Sequence, residues 1–180
     1  AYRIRQGRDP LVLIHGLGCD ASMWDGVVAA LPSDLGLVIP ELRGHGASTL
    51  GWRLPSVDLW ADDVLRLLRE KSIEGPAIAG LSLGGYTALG IAAAHPGVAR
   101  AFAFISTSAA PDDEAGRLRR ATGIATIRRE GWRRFAAAFI PSLLNAAGPQ
   151  FPAHSKHLQT MFEHAGDSGL PPTLMALAAR

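Results

Sequence analysis

Pro76-Ala77-Ile78-Ala79-Gly80-Leu81-Ser82-Leu83-Gly84-Gly85 is the stretch that decides the fold. Its first part, Pro76 to Leu81, is a short apolar run, which reads as a buried parallel strand. Its second part matches G-x-S-x-G, and a helix of small residues follows at once from Leu83 to Ala94. His95-Pro96-Gly97 stops that helix. The motif alone is a weak signal. A buried strand running in and a helix running out are the context that a nucleophile elbow demands. A serine on so sharp a turn is pushed out at the carboxyl end of the sheet. Its backbone is strained and its neighbours must be small, so Gly80 and Gly84 remove Cβ atoms that would clash. The helix start behind Ser82 supplies free N–H groups and the positive end of a dipole. An oxyanion formed by attack of Ser82 would sit against the N–H of Leu83. The plainer alternative is a glycine-rich turn that merely packs.

Working outward, Leu11-Val12-Leu13-Ile14 is a second apolar run, ending at His15-Gly16. Ser22 offers an N-cap for a helix through about Leu31, and Pro32 follows it. Leu35 to Ile39 and Val98 to Ile105 read as two further strands. Between them, Ser56 or Asp58 can cap a helix whose apolar positions are Val57, Trp60, Val64, Leu67 and Leu68. Strands alternating with helices imply βαβ units and a mostly parallel sheet, an α/β fold with flanking helices.

The first strand leads into His15-Gly16-Leu17-Gly18. A second oxyanion donor is expected in the loop after this strand, and the N–H of Leu17 is the one placed there. Gly16 and Gly18 let the backbone approach closely. An ordinary strand-end turn is the competing reading. His15 precedes these glycines, and its ring is expected to brace the loop rather than serve as a base.

The pattern changes after Ser106. Residues Pro111 to Arg180 contain no comparable strand. Arg117–Arg128, Trp132–Leu144, His154–His164 and Thr173–Ala179 read as helices. The expected organisation is therefore residues 1–108 as the N-terminal part of an α/β core and 109–180 as a helical lid. Arg117, Arg119, Arg120, Arg128, Arg129, Arg133 and Arg134 crowd one stretch. A solvated helix face accounts for them. The sharper alternative is a dock for an acidic partner such as an acyl carrier protein. Phe135, Phe139 and Ile140 either line an acyl pocket or form plain core.

His15-Gly16-Leu17-Gly18, Met23-Trp24, Arg43-Gly44-His45-Gly46-Ala47-Ser48 and Gly80-Leu81-Ser82-Leu83-Gly84-Gly85 occur in this order and spacing. Together they resemble the α/β-hydrolase superfamily. The likeness is greatest to small bacterial esterases and lactonases, such as the oxoadipate enol-lactonases and the pimeloyl-carrier-protein methyl ester esterases. It covers residues 10 to 108 well; the helical region resembles their lids in length and helicity. The resemblance implies that Ser82 attacks an ester or lactone carbonyl, with Leu17 and Leu83 as the backbone oxyanion donors, and with no cofactor. Where this family usually has Asp before Arg-Gly-His-Gly, the chain has Glu41, a departure given no functional weight.

A serine nucleophile needs a base, and the base an orienting acid. In this fold both follow the serine, on loops after later strands. The histidines after Ser82 are His95, His154, His157 and His164. A triad from His154 or His157 with Asp167 is disfavoured, because triad members sit at strand ends. A metal site from His154, His157 and His164 lacks a supporting carboxylate or cysteine pattern. The strand Val98–Ile105 is apolar on both faces, and left at an edge it would invite aggregation. The expectation is that C-terminal strands of the fold are missing here. A further segment, or a second chain, would complete it and supply the acid and the His. The alternative function is a catalytically silent, binding or receptor-like protein on the same fold.

The bulk properties are ordinary. The 180 residues are 48% hydrophobic and 19% charged, which excludes disorder. The formal net charge is +2, and the two lysines are Lys71 and Lys156, so nothing suggests nucleic acid. Cys19 is the single cysteine, which rules out an internal disulfide and fits a reducing cytoplasm. No apolar run reaches the roughly 18 residues of a membrane span. The start, Ala1-Tyr2-Arg3-Ile4-Arg5, lacks the apolar core of a signal peptide.

Overall fold

The computed structural model describes residues 1–180. Five strands form one sheet: β1 (Tyr2–Arg5), β2 (Arg8–Ile14), β3 (Leu35–Pro40), β4 (Ala77–Leu81) and β5 (Ala101–Ile105). Their spatial order is β1-β3-β2-β4-β5. β1 runs antiparallel to β3, and every other pair is parallel. This is the mostly parallel sheet expected from alternating strands and helices. The sequence reading did not predict β1. Tyr2-Arg3-Ile4-Arg5 alternates as a strand should, but it is only four residues long and lies exposed on the sheet's edge.

The helices are α1 (Asp25–Ala30), α2 (Val57–Glu70), α3 (Leu83–Ala94), α4 (Glu114–Glu130), α5 (Trp132–Phe139) and α6 (Phe151–Ala178). Ser56 caps α2, its hydroxyl accepting from the Leu59 N–H at 3.1 Å. Ser22 is not the cap of the earlier helix. Asp20 caps a single 3-10 turn, Ala21–Trp24, that leads into α1. The carboxylate wins because it accepts the Ser22 N–H at 2.8 Å, while the Ser22 hydroxyl lies inside the turn and donates back to it at 2.6 Å.

The pleat sorts alternate residues to opposite faces. Val12, Ile14, Val38 and Ile78 meet Trp60, Val64 and Leu68 of α2, and Leu83, Ala88 and Ile91 of α3, in the main core. Leu13, Ile39 and Ala79 face the other way, onto Ala21 and Trp24. Each such buried aliphatic side chain contributes about 1.5–3 kcal/mol.

The strand expected from Val98 is shorter, Ala101–Ile105, and it lies on the sheet's edge beside β4 alone. Its apolar faces are covered only in part: Phe102 packs on the main core, but Phe104 is 46% exposed and Ile105 36%.

From Glu114 onward all regular structure is helical. The helix starting at Glu114 is capped by Asp113, whose carboxylate accepts the Gly116 N–H at 2.7 Å, and it stops at Gly131, where φ is 83°. The two helices expected at His154–His164 and Thr173–Ala179 are the halves of α6, joined through a bend at Gly166 (φ 52°, ψ −158°). Ile127, Ala136, Ile140, Phe162, Leu170, Leu174 and Leu177 from this segment share the main core with the sheet. Phe135 and Phe139 stack at 5.2 Å, and Phe139 lies 6.1 Å from Phe162, so the aromatic stripe is packed core at the segment's base. No helix is long and apolar enough to cross a membrane.

Candidate active site

β4 ends at Leu81 and α3 begins at Leu83, which leaves Ser82 alone to turn the chain. It does so at φ 51°, ψ −109°, a region that L residues rarely occupy and that costs about 1–3 kcal/mol. The turn is possible because its neighbours lack side chains. A Cβ on Gly80 would lie 2.6 Å from the Gly85 nitrogen, and one on Gly84 would lie 2.8 Å from the His15 carbonyl oxygen. The backbone of Ser82 is tied to the end of β5. Its N–H donates to the Ile105 carbonyl at 2.9 Å, and its own carbonyl accepts from the Thr107 hydroxyl at 3.1 Å. Thr107 escaped the sequence reading. Its position just past an apolar strand, level with the elbow in a parallel sheet, is the signal that could have found it.

Helical hydrogen bonding starts with the Tyr86 N–H donating to the Ser82 carbonyl at 3.0 Å. The N–H groups of Leu83, Gly84 and Gly85 therefore have no partner inside the helix. The loop after β2 lies against this turn. A Cβ on Gly16 would come within 3.9 Å of the Ser82 Cβ. Leu17 is buried, and its N–H donates to no group of the chain. The three residues expected to act together, Ser82, Leu17 and Leu83, thus come from adjoining strand ends. The Ser82 hydroxyl is half-buried and has no hydrogen-bonding side chain beside it.

His15 braces the loop, as expected. It is fully buried, with Nε2 2.9 Å from the Leu42 N–H and Nδ1 2.8 Å from the Gly16 carbonyl. An N–H must donate and a carbonyl must accept, so the ring is neutral with its proton on Nδ1. Burial lowers its pKa. His45 lies 5.1 Å away ring to ring, also fully buried, and its Nε2 has no partner. Burial, with the neighbouring His15 adding to it, lowers the His45 pKa to about 3. Neither ring reaches Ser82.

Glu41 has a structural task. Its carboxylate accepts the Ala47 N–H at 2.7 Å and the Ala21 N–H at 3.4 Å, while its carbonyl accepts the Ser48 hydroxyl at 2.7 Å. It staples the Arg43-Gly44-His45-Gly46 loop to the turn after the Leu17 loop. Arg43 fixes the other side of that loop through two hydrogen bonds to Asp63, of 3.1 and 3.0 Å.

No base–acid pair forms on Ser82 within these residues. Asp167 accepts the Trp132 N–H at 2.7 Å and so holds the start of α5. Asp112 is shared by Arg120 and Arg180, at 2.5 and 2.6 Å. His157 lies 3.3 Å from the Ser22 hydroxyl, and His164 Nδ1 lies 2.9 Å from Asp20. No group of three His, Cys, Asp or Glu side chains is placed to hold a metal ion. A cavity of about 460 Å³ lies elsewhere, against Tyr2, Glu41, Arg43 and Asp63; Glu41, Arg43 and Asp63 are committed to holding loops, and Arg66 and Glu70 beside them pair with each other. In the arginine-rich stretch Arg120, Arg133 and Arg134 are paired with Asp112, Glu163 and Glu130, while Arg119, Arg128 and Arg129 face solvent.

Known proteins carry the same architecture. The model of the Alpha/beta hydrolase family matches residues 11–179. A pimeloyl-[acyl-carrier protein] methyl ester esterase of Aromatoleum aromaticum is 35% identical over 101 residues, 56% of this chain and 38% of its own length. The 3-oxoadipate enol-lactonase 1 of Acinetobacter baylyi is 30% identical over 168 residues, 93% of this chain and 56% of its own. A thermophilic esterase from Thermogutta terrifontis, solved with malate bound, superposes with a TM-score of 0.91 at 26% identity, over 100% of this chain and 67% of that one. The enol-lactonase from Burkholderia xenovorans gives 0.88 at 28% identity, over 99% and 70%. The chain thus spans 38% and 56% of these two curated relatives. The strand order, the elbow and a family match over nearly the whole length agree, and the chain belongs to the alpha/beta hydrolase family.

Proposed function

We propose that this chain carries the nucleophile and oxyanion hole of a serine hydrolase that cleaves a carboxylic ester or lactone. The observation that carries the reading is the backbone of Ser82, held at φ 51° between a buried strand and a helix start with free N–H groups. Strain of this kind persists where the surrounding structure enforces it, and it clusters at reactive residues.

The Ser82 oxygen attacks the acyl carbon as its proton passes to a base. The carbonyl oxygen becomes an oxyanion, which accepts from the Leu17 and Leu83 N–H groups. Collapse expels the alcohol, or opens the lactone, and leaves an acyl-Ser82 ester. Water then attacks that ester by the same route in reverse. Each preorganised donor supplies about 2.7–4 kcal/mol in comparable sites. The base and its acid come from outside residues 1–180, from a further segment or a second chain. The support is that the side-chain contacts of His15, His45, His157 and His164 all lie away from Ser82. Residues 109–180, whose regular structure is all helical, form the lid. A small-molecule ester or lactone is the substrate class, supported by the similarity to an enol-lactonase and an ester esterase. A cytoplasmic setting belongs to the same proposal and rests on the lone buried cysteine.

The test is labelling of the intact protein by a fluorophosphonate probe. Covalent labelling that disappears in Ser82→Ala supports the proposal. An intact protein that never labels favours the silent, binding-protein reading instead.

A further inference from the structure

Asp20 lies three residues beyond Leu17, on the same loop. It is 5% exposed, and each of its carboxylate oxygens is used. One oxygen accepts the Ser22 N–H at 2.8 Å and the Ser22 hydroxyl at 2.6 Å. The other faces Nδ1 of His164 at 2.9 Å, across 144 residues of sequence. His157, two turns earlier on α6, reaches the Ser22 hydroxyl and carbonyl at 3.3 and 3.4 Å. Between the two histidines, Phe162 lays its ring flush on Gly18, where a Cβ would come within 2.6 Å of a ring carbon. α6 therefore touches residues 18–22 at three points, with buried Phe162 flanked by the two exposed histidines.

The electrostatics agree. Burial alone would raise the Asp20 carboxyl, but the Ser22 hydroxyl, His164 and the Ser22 N–H outweigh it and hold it below the usual carboxylate range. Cys19, His15 and His45 also lie within its field, from the core side. Glu41 closes the far end of the turn through the Ala21 N–H. None of these groups bonds the carboxylate oxygen that His164 takes.

We propose that Asp20 and His164 are positioning residues for the acyl-transfer reaction, joining the lid helix to the loop that bears the Leu17 N–H. This rests on the reading of Leu17 as an oxyanion donor. The loop has few other ties: Cys19 N–H to the Gly16 carbonyl at 3.1 Å, and His15 to that same carbonyl. Leu17 itself has no backbone bond through its N–H. The seating of α6 on Asp20 thus sets where that N–H points. A donor displaced by a fraction of an ångström loses most of its value to an oxyanion, so lid position and catalytic competence are coupled.

The test uses His164→Ala, His164→Asn and Asp20→Asn in the intact protein, with two readouts. Asn places an amide N–H near the site of Nδ1, so it restores the hydrogen bond that Ala removes. In His164→Ala the amides of residues 16–19 are expected to exchange with solvent about 10-fold faster, with those of α2 unchanged. The fluorophosphonate labelling rate is expected to fall about 10-fold, and His164→Asn to recover much of it. Asp20→Asn, which also disturbs the cap of the turn, should match or exceed the Ala effect. Unchanged exchange at residues 16–19 overturns the contact. Faster exchange with wild-type labelling overturns the positioning role. A wild type that never labels overturns the catalytic reading itself, and the exchange arm still reports separately on the contact.

Discussion

The carbonyl of Ile14 and the α-carbon of Gly84 are in backbone contact: a Cβ on Gly84 would lie 2.6 Å from the Ile14 carbonyl carbon. The end of β2 and the first turn of α3 are thereby pressed together, and the Leu17 loop starts next to the elbow. Gly84→Ala is expected to destabilise the protein by about 3 kcal/mol, since the neighbour is backbone and cannot rotate away. Gly26→Ala, in α1 with nothing within 4 Å of its Cβ, should be neutral or stabilising by up to about 1 kcal/mol. Denaturant midpoints with an unchanged slope measure both.

Ser82 combines a strained backbone with the proposed nucleophile, and two substitutions separate the two. Ser82→Ala and Ser82→Gly both abolish labelling. Glycine accepts positive φ without penalty, so Ser82→Gly is expected to be about 1 kcal/mol more stable than Ser82→Ala. Equal stability of the two variants would show that the elbow stores no strain.

Thr107 holds the elbow from β5. Thr107→Val keeps the shape that packs on Gly85 and removes only the hydrogen bond to the Ser82 carbonyl. About 1 kcal/mol of stability should be lost. The labelling rate should fall several-fold with little change in the affinity for a reversible inhibitor, because the group acts on the orientation of Ser82.

The two buried imidazoles make a prediction about acid. Both are held neutral in the folded chain, with pKa values lowered chiefly by burial. As pH falls through about 6.5 the unfolded chain takes up protons first, so stability is present above that value and is lost below it. The loss is about 1.4 kcal/mol per pH unit for each imidazole, and for His45 it continues down to about 3. Unfolding free energy measured from pH 8 to 4 should show this slope, and His45→Phe should reduce it. At neutral pH His45→Phe is the milder change, because only the 3.3 Å contact of Nδ1 with the Arg43 carbonyl is lost and Nε2 has no partner. His15→Phe strands the Leu42 N–H, at about 1–3 kcal/mol, while the Gly16 carbonyl keeps the Cys19 N–H.

What the sequence disclosed was whatever is local. Gly80, Ser82, Gly84 and the apolar strand before them state the elbow within six positions, and Ser56 announces its helix. The α3 boundaries are legible to the residue because a turn begins that helix and His95-Pro96 ends it. Asp20, Glu41 and Thr107 were not legible, because each acts on groups brought near by the fold. Glu41 reaches back to Ala21, and Thr107 reaches the Ser82 carbonyl across neighbouring strand ends. Ser22 looked like a cap because its side chain is of the right kind. Only the geometry of the turn shows that Asp20 takes that place. The strand β1 failed for want of length, since four residues give too few alternations to weigh.

Beyond the bend at Gly166, α6 meets the Arg43–His45 loop with no side chains between: a Cβ on Gly169 would be 3.0 Å from the Gly44 carbonyl carbon. Before the bend, most positions from Phe151 to Thr160 face solvent. α6 is therefore divided in its freedom to vary. Its later half is fixed to the core by two glycines that nothing larger can replace. Its earlier half, His157 at the Ser22 contact excepted, can exchange side chains at little cost, so sequence variation is expected to gather in residues 151–160 while the seam with the Arg43–His45 loop stays fixed.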